Sequence, residues 1–143
     1  MTTVAVVNQG TTTVAALIGT GPQGPPGVAY IDAGNVVGMT GTGTTNVFTA
    51  DAETVVTGVV VRLASVSGFV TVPTVSFERN DGAKFCNAQP LTGLSTTGKA
   101  VFVAFTGALP VLAAGEILRA NVSVAAGASA YSTEVDVLGY VVP

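Results

Sequence analysis

The amino-acid sequence predicts an all-β fold, an antiparallel β-sandwich of the jelly-roll or immunoglobulin-like kind, preceded by an extended N-terminal arm. Three observations predict it. Valine and threonine dominate from about residue 28 onward, turn signals recur every ~8 to 12 residues, and no stretch spaces its apolar residues at the ~3.6-residue period of a helix. About seven or eight short strands result, which suits a two-sheet sandwich but does not choose between its topologies.

Three zones follow one another. Residues 1–20 are extended and β-branched, with Val4, Val6, Val7, Val14, Leu17 and Ile18 as their apolar positions. Residues 21–27 read Gly21-Pro22-Gln23-Gly24-Pro25-Pro26-Gly27, two Gly-X-Y triplets and the glycine of a third. In a collagen helix only glycine fits the crowded axis at every third position. So short a tract holds three chains only if neighbouring segments already keep them in register; otherwise it is a stiff Pro/Gly linker. Residues 28–143 form the β-domain.

Within that domain, strands are expected at 45–49, 54–64, 74–79, 83–88, 99–106, 116–125 and 131–142. Turns are expected at Ser67-Gly68, Asn80-Asp81-Gly82, Thr97-Gly98, Ala114-Gly115 and Gly127. Asn80-Asp81-Gly82 is the sharpest, because tight hairpins need positive φ, which these residue types tolerate. It places Glu78 to Lys84 at a solvent-facing hairpin tip. Alternation identifies the strands with one wet face. Leu118, Ala120, Val122 and Val124 point inward and Arg119, Asn121 and Ser123 outward. Val135 and Val137 likewise point inward, with Glu134 and Asp136 outward into solvent. Val59-Val60-Val61 and Val101-Phe102-Val103-Ala104-Phe105 are apolar on both faces, as strands covered on two sides are. A sandwich covers only one side, so a partner subunit is expected on the other.

Composition points the same way. Of 143 residues 48% are hydrophobic and only 9% charged, against about 25% charged in an ordinary soluble domain. Such a surface predicts contact with other chains. Glycine, threonine or a charge interrupts every apolar run before the ~18 to 20 residues a membrane helix needs, so no membrane partner is expected. Met1-Thr2-Thr3-Val4 offers no basic n-region of an export signal. The net charge is −3, and Arg62, Arg79, Lys84, Lys99 and Arg119 form no run; a nucleic-acid partner needs a basic patch.

Candidate chemistry is sparse. The chain has no histidine and one cysteine, Cys86, which removes Ser-His-Asp and Cys-His catalysis and the common zinc sites. Cys86 is read as a small packed hydrophobe rather than a reactive thiol. Asp51/Glu53 and Glu134/Asp136 are spaced to share a strand face, and the expected role is solvation; a metal held there would be calcium by ligand type. Gly38-Met39-Thr40-Gly41-Thr42-Gly43 has no following lysine and opens no helix, so it is a loop and not a phosphate cradle. Asn121-Val122-Ser123 is a chance glycosylation triplet in a chain without an export signal. The aromatics fall inside strand patterns, which predicts core packing. No catalytic residue, metal site or cofactor is expected.

Several pieces, in order, resemble a family of small β-domains found in tailed-phage virion proteins. They are Asn46-Val47-Phe48-Thr49-Ala50, Val59-Val60-Val61-Arg62-Leu63-Ala64-Ser65, Leu91-Thr92-Gly93-Leu94, the run from Ala113 to Val122, and the terminal run from Val135 to Val142. The Val/Thr-rich segment leading into Gly21–Gly27 is similar to phage proteins too. The resemblance implies a homotrimer that decorates a capsid or forms a fibre, with residues 1–20 as the arm that attaches it to a major capsid protein. The short Gly-Pro tract, with no shaft domain after it, favours a compact capsid decoration (cement) protein on the outside of the head. The alternative is a head- or tail-fibre tip that binds a cell-surface receptor through loops at 65–70, 80–82 and 91–98.

Overall fold

The computed structural model describes residues 29–105 and 110–143. Among them the chain forms nine strands: β1 Ala29–Gly38, β2 Gly43–Thr49, β3 Thr54–Ser67, β4 Thr74–Arg79, β5 Gln89–Pro90, β6 Ala100–Ala104, β7 Val111–Leu112, β8 Ile117–Val124 and β9 Ala130–Val141. All pairings are antiparallel. One sheet runs β1-β9-β3-β6, with β7 added to β3, and the other runs β2-β8-β4-β5.

This order resolves the topology that the sequence leaves open. With the two-residue β7 set aside, the first strand pairs with the last, β1 with β9, and the second with the next to last, β2 with β8. The third and sixth pair as β3 with β6, and the middle two as β4 with β5. That is a long hairpin rolled up across two sheets, the eight-stranded jelly roll.

The long strands form where β-branched residues accumulate. Thr54–Ser67 carries Val55, Val56, Thr57, Val59, Val60 and Val61, side chains that pack well on a pleated surface. Its register on β9 slips between Val56 and Gly58. The extra residue reverses the alternation, so Val56 and then Val59, Val61 and Leu63 all face the core. From the second sheet come Val47, Val75, Phe77, Leu118, Ala120 and Val122. Phe105 seals one end, its ring 5.9 Å from Phe77 and 5.7 Å from Phe85. Full burial of a side chain such as Phe77 contributes about 2–3 kcal/mol. At the other end Tyr131 stacks on Phe69 at 6.1 Å and donates its hydroxyl to the Leu94 carbonyl. Burial pushes that phenol up to about 12.

Two expectations need correcting. Residues 83–88 do not form a strand. Past the hairpin only Lys84 bridges back, to Glu78, and then Phe85 and Cys86 both donate N–H groups to the Phe77 carbonyl, at 2.8 and 3.4 Å. Two residues face one, the ladder breaks, and pairing resumes only at Gln89–Pro90. The turn itself forms, with Gly82 at φ +91°. Conversely β1 was not expected, because Asp32-Ala33-Gly34-Asn35 interrupts its alternation. The strand absorbs them as register shifts between Tyr30 and Asp32 and between Asp32 and Asn35.

The two ends of the sandwich differ. Ala29, Thr54, Asn80–Gly82, Gly115 and Val141 lie at one end, as the pairing of Ala29 with Gly139 and Thr54 with Val141 and the Gly115 N–H on Ala50 O require. The stretches 39–42, 68–73, 91–98 and 125–129 lie at the other.

Candidate interaction surface

The residues expected to attach the chain to a capsid, Val4, Val6, Val7, Val14, Leu17 and Ile18, lie outside the described residues. So do Gly21, Pro22, Gly24, Pro25, Pro26 and Gly27. The described residues instead expose two sheet faces of different chemistry.

The outer face of the β2-β8-β4-β5 sheet is polar. Thr44 of β2, Arg119 and Asn121 of β8, and Ser76 and Glu78 of β4 share it, as their cross-strand pairings require. Beside them Ser123 donates its hydroxyl to the Thr74 carbonyl, next to Val124, which alternation places inward and which is 52% exposed. Glu78 is the centre of the face and is only 4% exposed. Its carboxylate accepts from Arg119 at 2.8 Å and from Lys84 and Asn121 at 3.0 Å each. The Asn121 hydrogen bond is the main influence holding this carboxyl below the usual range; burial opposes it, and Lys84 and Arg119 add to it. Glu78 is thus not the solvent-facing tip residue the sequence predicts. The tip is Asn80-Asp81-Gly82, where Arg79 and the Ala83 N–H hold Asp81 down at about 2. Asn121, half-buried and bound to Glu78, is part of this network and not a free glycosylation acceptor.

The outer face of the β1-β9-β3-β6 sheet carries an apolar row at the end where β1 begins. Tyr30 pairs with Leu138, Leu138 with Gly58, and Gly58 with Ala104, which makes one row across four strands. Phe102 lies opposite Val60, and its ring covers Gly58, where an added Cβ would come within 2.9 Å of it. Val111 continues the face beyond, opposite Val55. Tyr30 is 62% and Phe102 57% exposed, so these two depart from the expected core packing of the aromatics. The inward halves of the two-sided apolar strands, Val59, Val61, Val103 and Phe105, are buried as expected; in the protomer the outward halves face solvent.

A polar trio interrupts this face. Arg62 bonds Glu134 at 3.1 Å and Asp136, and Asp136 also accepts from the Gly34 N–H at 2.8 Å. The bulge in β1 closes over Asp136 and leaves it 4% exposed. The expectation that Glu134 and Asp136 are both solvated is therefore wrong for Asp136. Its neighbours are a strand-edge bulge and an arginine on the adjacent strand β3, 74 residues away in sequence, which residue spacing cannot reveal. Tyr30, Ala33, Gly34, Arg62, Glu134 and Asp136 line a shallow hollow here.

The other expected chemistry is dispersed. Asp51 sits in the bend between β2 and β3, and Glu53 follows it outside any strand, so the pair shares no strand face. Among the described residues no three His, Cys, Asp or Glu side chains come together as metal ligands. Cys86 is partly buried, accepts the Phe77 N–H at 3.4 Å on its sulfur, and has its thiol pushed up by burial; it packs rather than reacts. The stretch from Met39 to Thr42 turns the chain between the sheets, with Met39 fully buried. Of the three loops expected to carry recognition, 65–70 and 91–98 lie at the same end and are bridged by Tyr131, which stacks on Phe69 and donates to the Leu94 carbonyl. Asn80–Gly82 lies at the opposite end.

A scan of protein-family models gives no match to this chain, and neither does a search of curated proteins. Among solved structures, a chain from the cyanophage Pam1 capsid asymmetric unit is similar with a TM-score of 0.55 and 19% identity, over 88% of this chain and 94% of that one. A chain from infectious bursal disease virus, Gt strain, gives a TM-score of 0.34 at 22% identity, over 87% of this chain and 36% of that one. The second similarity is too low to carry an argument. The first is a likeness of fold: this chain has the β-sandwich architecture of a component of a phage capsid asymmetric unit.

Proposed function

We propose that the chain is a non-enzymatic structural protein of a phage particle, a homotrimer that decorates the outer surface of the head. In this reading residues 1–20 are the arm that binds the major capsid protein through Val4, Val6, Val7, Val14, Leu17 and Ile18. Gly21–Gly27 gathers three chains, and the jelly roll faces outward. The observation that carries the reading is the apolar row of the β1-β9-β3-β6 sheet, with Tyr30 and Phe102 exposed among the described residues, on a chain with only 9% charged residues. A face of that kind is an interaction surface. The fold likeness to a cyanophage capsid component supports the setting. Apolar area buried across several capsid subunits would help the shell resist internal pressure.

The test is the copy number and position of the chain on purified particles, by quantitative gel analysis and electron cryomicroscopy. Hundreds of copies per head support decoration; a few tens or fewer, or a place on the tail, overturn it. One observation favours the second reading, a fibre tip that binds a cell-surface glycan or protein. Loops 65–70 and 91–98 converge at the end of the sandwich away from Ala29, where the arm joins. Specific adsorption of the purified full chain to host cells supports that reading, and indifference to them counts against it.

A further inference from the structure

We infer that three copies of this chain meet through the outer face of the β1-β9-β3-β6 sheet, with Tyr30, Phe102 and Ala104 in the contact. The inference rests on the trimer reading above and adds which surface makes the trimer.

If Gly21–Gly27 brings three chains onto one axis, Gly27 of each lies at that axis, because only glycine fits there. Ala29 is already paired with Gly139 as the first residue of β1. Two residues of extended chain reach at most about 7 Å. Each jelly roll must then begin within that distance of the axis, and whatever surrounds the start of β1 must face the other two copies.

On its own sheet, the start of β1 is bordered by the apolar row. Tyr30, the next residue, projects from that face at 62% exposure and stands beside Leu138. The row runs on through Gly58 to Ala104, with Phe102 folded over the glycine. β1 is also an edge strand of its sheet, so among the described residues no further strand lies beyond it on that side. The polar face lies on the other sheet, about 10 Å behind, and points away. The charges nearest the contact suit it: Arg62 is already bonded to Glu134 and Asp136, so covering the face strands no unpaired arginine. Large aromatics that are exposed in the protomer and buried between copies carry most of the energy of such contacts.

Two measurements on the full chain test this. In a Cys86→Ser background, a spin label on Ala33→Cys, beside Tyr30, should give shorter inter-subunit distances than one on Ser123→Cys of the polar face. In sedimentation, Phe102→Lys should dissociate at protein concentrations about tenfold or more above those at which the parent chain does, with its circular dichroism unchanged. A parent trimer in which the Ser123 labels are the closer pair, or in which Phe102→Lys leaves the dilution profile unaltered, overturns this assignment and leaves the trimer standing. A parent chain that sediments as a monomer at micromolar concentration overturns the trimer itself and this surface with it.

Discussion

The two outer faces of this jelly roll keep charge in opposite ways. On the β2-β8-β4-β5 sheet a single carboxylate, Glu78, collects three donors from β8 and the hairpin, and the surrounding face is hydroxyl and amide. On the β1-β9-β3-β6 sheet the charges are confined to Arg62, Glu134 and Asp136; Ser65 and Ser132 lie beyond them toward one end, and Tyr30, Val60, Phe102 and Ala104 lie toward the other. A solvated face spreads its polar groups along every strand. A face meant to be covered concentrates its few charges and pairs them, since a lone charge buried by a partner would cost several kcal/mol.

The largest effect should come from breaking the polar face at its centre. Glu78→Ala leaves Arg119, itself largely covered, beside an empty site, and frees Lys84 and Asn121. We expect a loss of about 2–4 kcal/mol in urea unfolding at fixed protein concentration, held below the top of the range for buried pairs because Lys84 stays half in water. A loss under about 0.5 kcal/mol would mean that the network is decorative.

Next comes the apolar face. A Cβ at Gly58 would lie 2.6 Å from the Val103 carbonyl and 2.9 Å from the Phe102 ring. The ring can swing away but the carbonyl belongs to the β6 backbone, so Gly58→Ala must displace an edge strand. The expected cost is about 1–3 kcal/mol, with the exchange of β6 amide hydrogens accelerated over those of β8. Unchanged protection in β6 would show that the strand accommodates the methyl group.

Acid separates the faces further. The Glu78 carboxyl is held below its ordinary value of 4.5, so it binds a proton more readily in the unfolded chain. Its contribution to stability is complete above the unfolded value and disappears as pH falls through the lower folded one. Unfolding midpoints recorded from pH 6 down to pH 2 should therefore fall less steeply for Glu78→Gln than for the parent chain. Parallel curves would assign the acid response to other carboxylates.

These contrasts also explain what was legible from the chain alone. Alternation placed Leu118, Ala120, Val122, Val135 and Val137 inward correctly, but it also placed Val124 inward, and Val124 is 52% exposed because the β8 register on β4 slips between Val122 and Val124. β1 was hidden because Asp32 and Gly34 look like a turn, and only pairing with β9 makes them a bulge. The false strand at 83–88 had the right composition, but Phe85 and Cys86 both turn to one carbonyl. Burial of Glu78 and Asp136 was invisible for a shared reason. Each is covered by groups distant in sequence, Arg119 in one case and Arg62 and Gly34 in the other. The choice of a jelly roll likewise required knowing that the first strand pairs with the last.

The smallest effect tests whether all three charges of the apolar face matter. Glu134 has a side chain 41% exposed and a partner, Arg62, that is 37% exposed, so water solvates both and the pair gains little from its contact. Exposed pairs of this kind contribute about 0.2–1 kcal/mol. Asp136 sits beneath the bulge with the Gly34 N–H and Arg62 as its donors and its side chain only 5% exposed. Glu134→Gln should accordingly change unfolding by less than about 0.5 kcal/mol, well short of Asp136→Asn. If the two substitutions cost the same, the β1 bulge does not shield Asp136, and the trio behaves as a single solvated cluster rather than as one buried acid with an exposed companion.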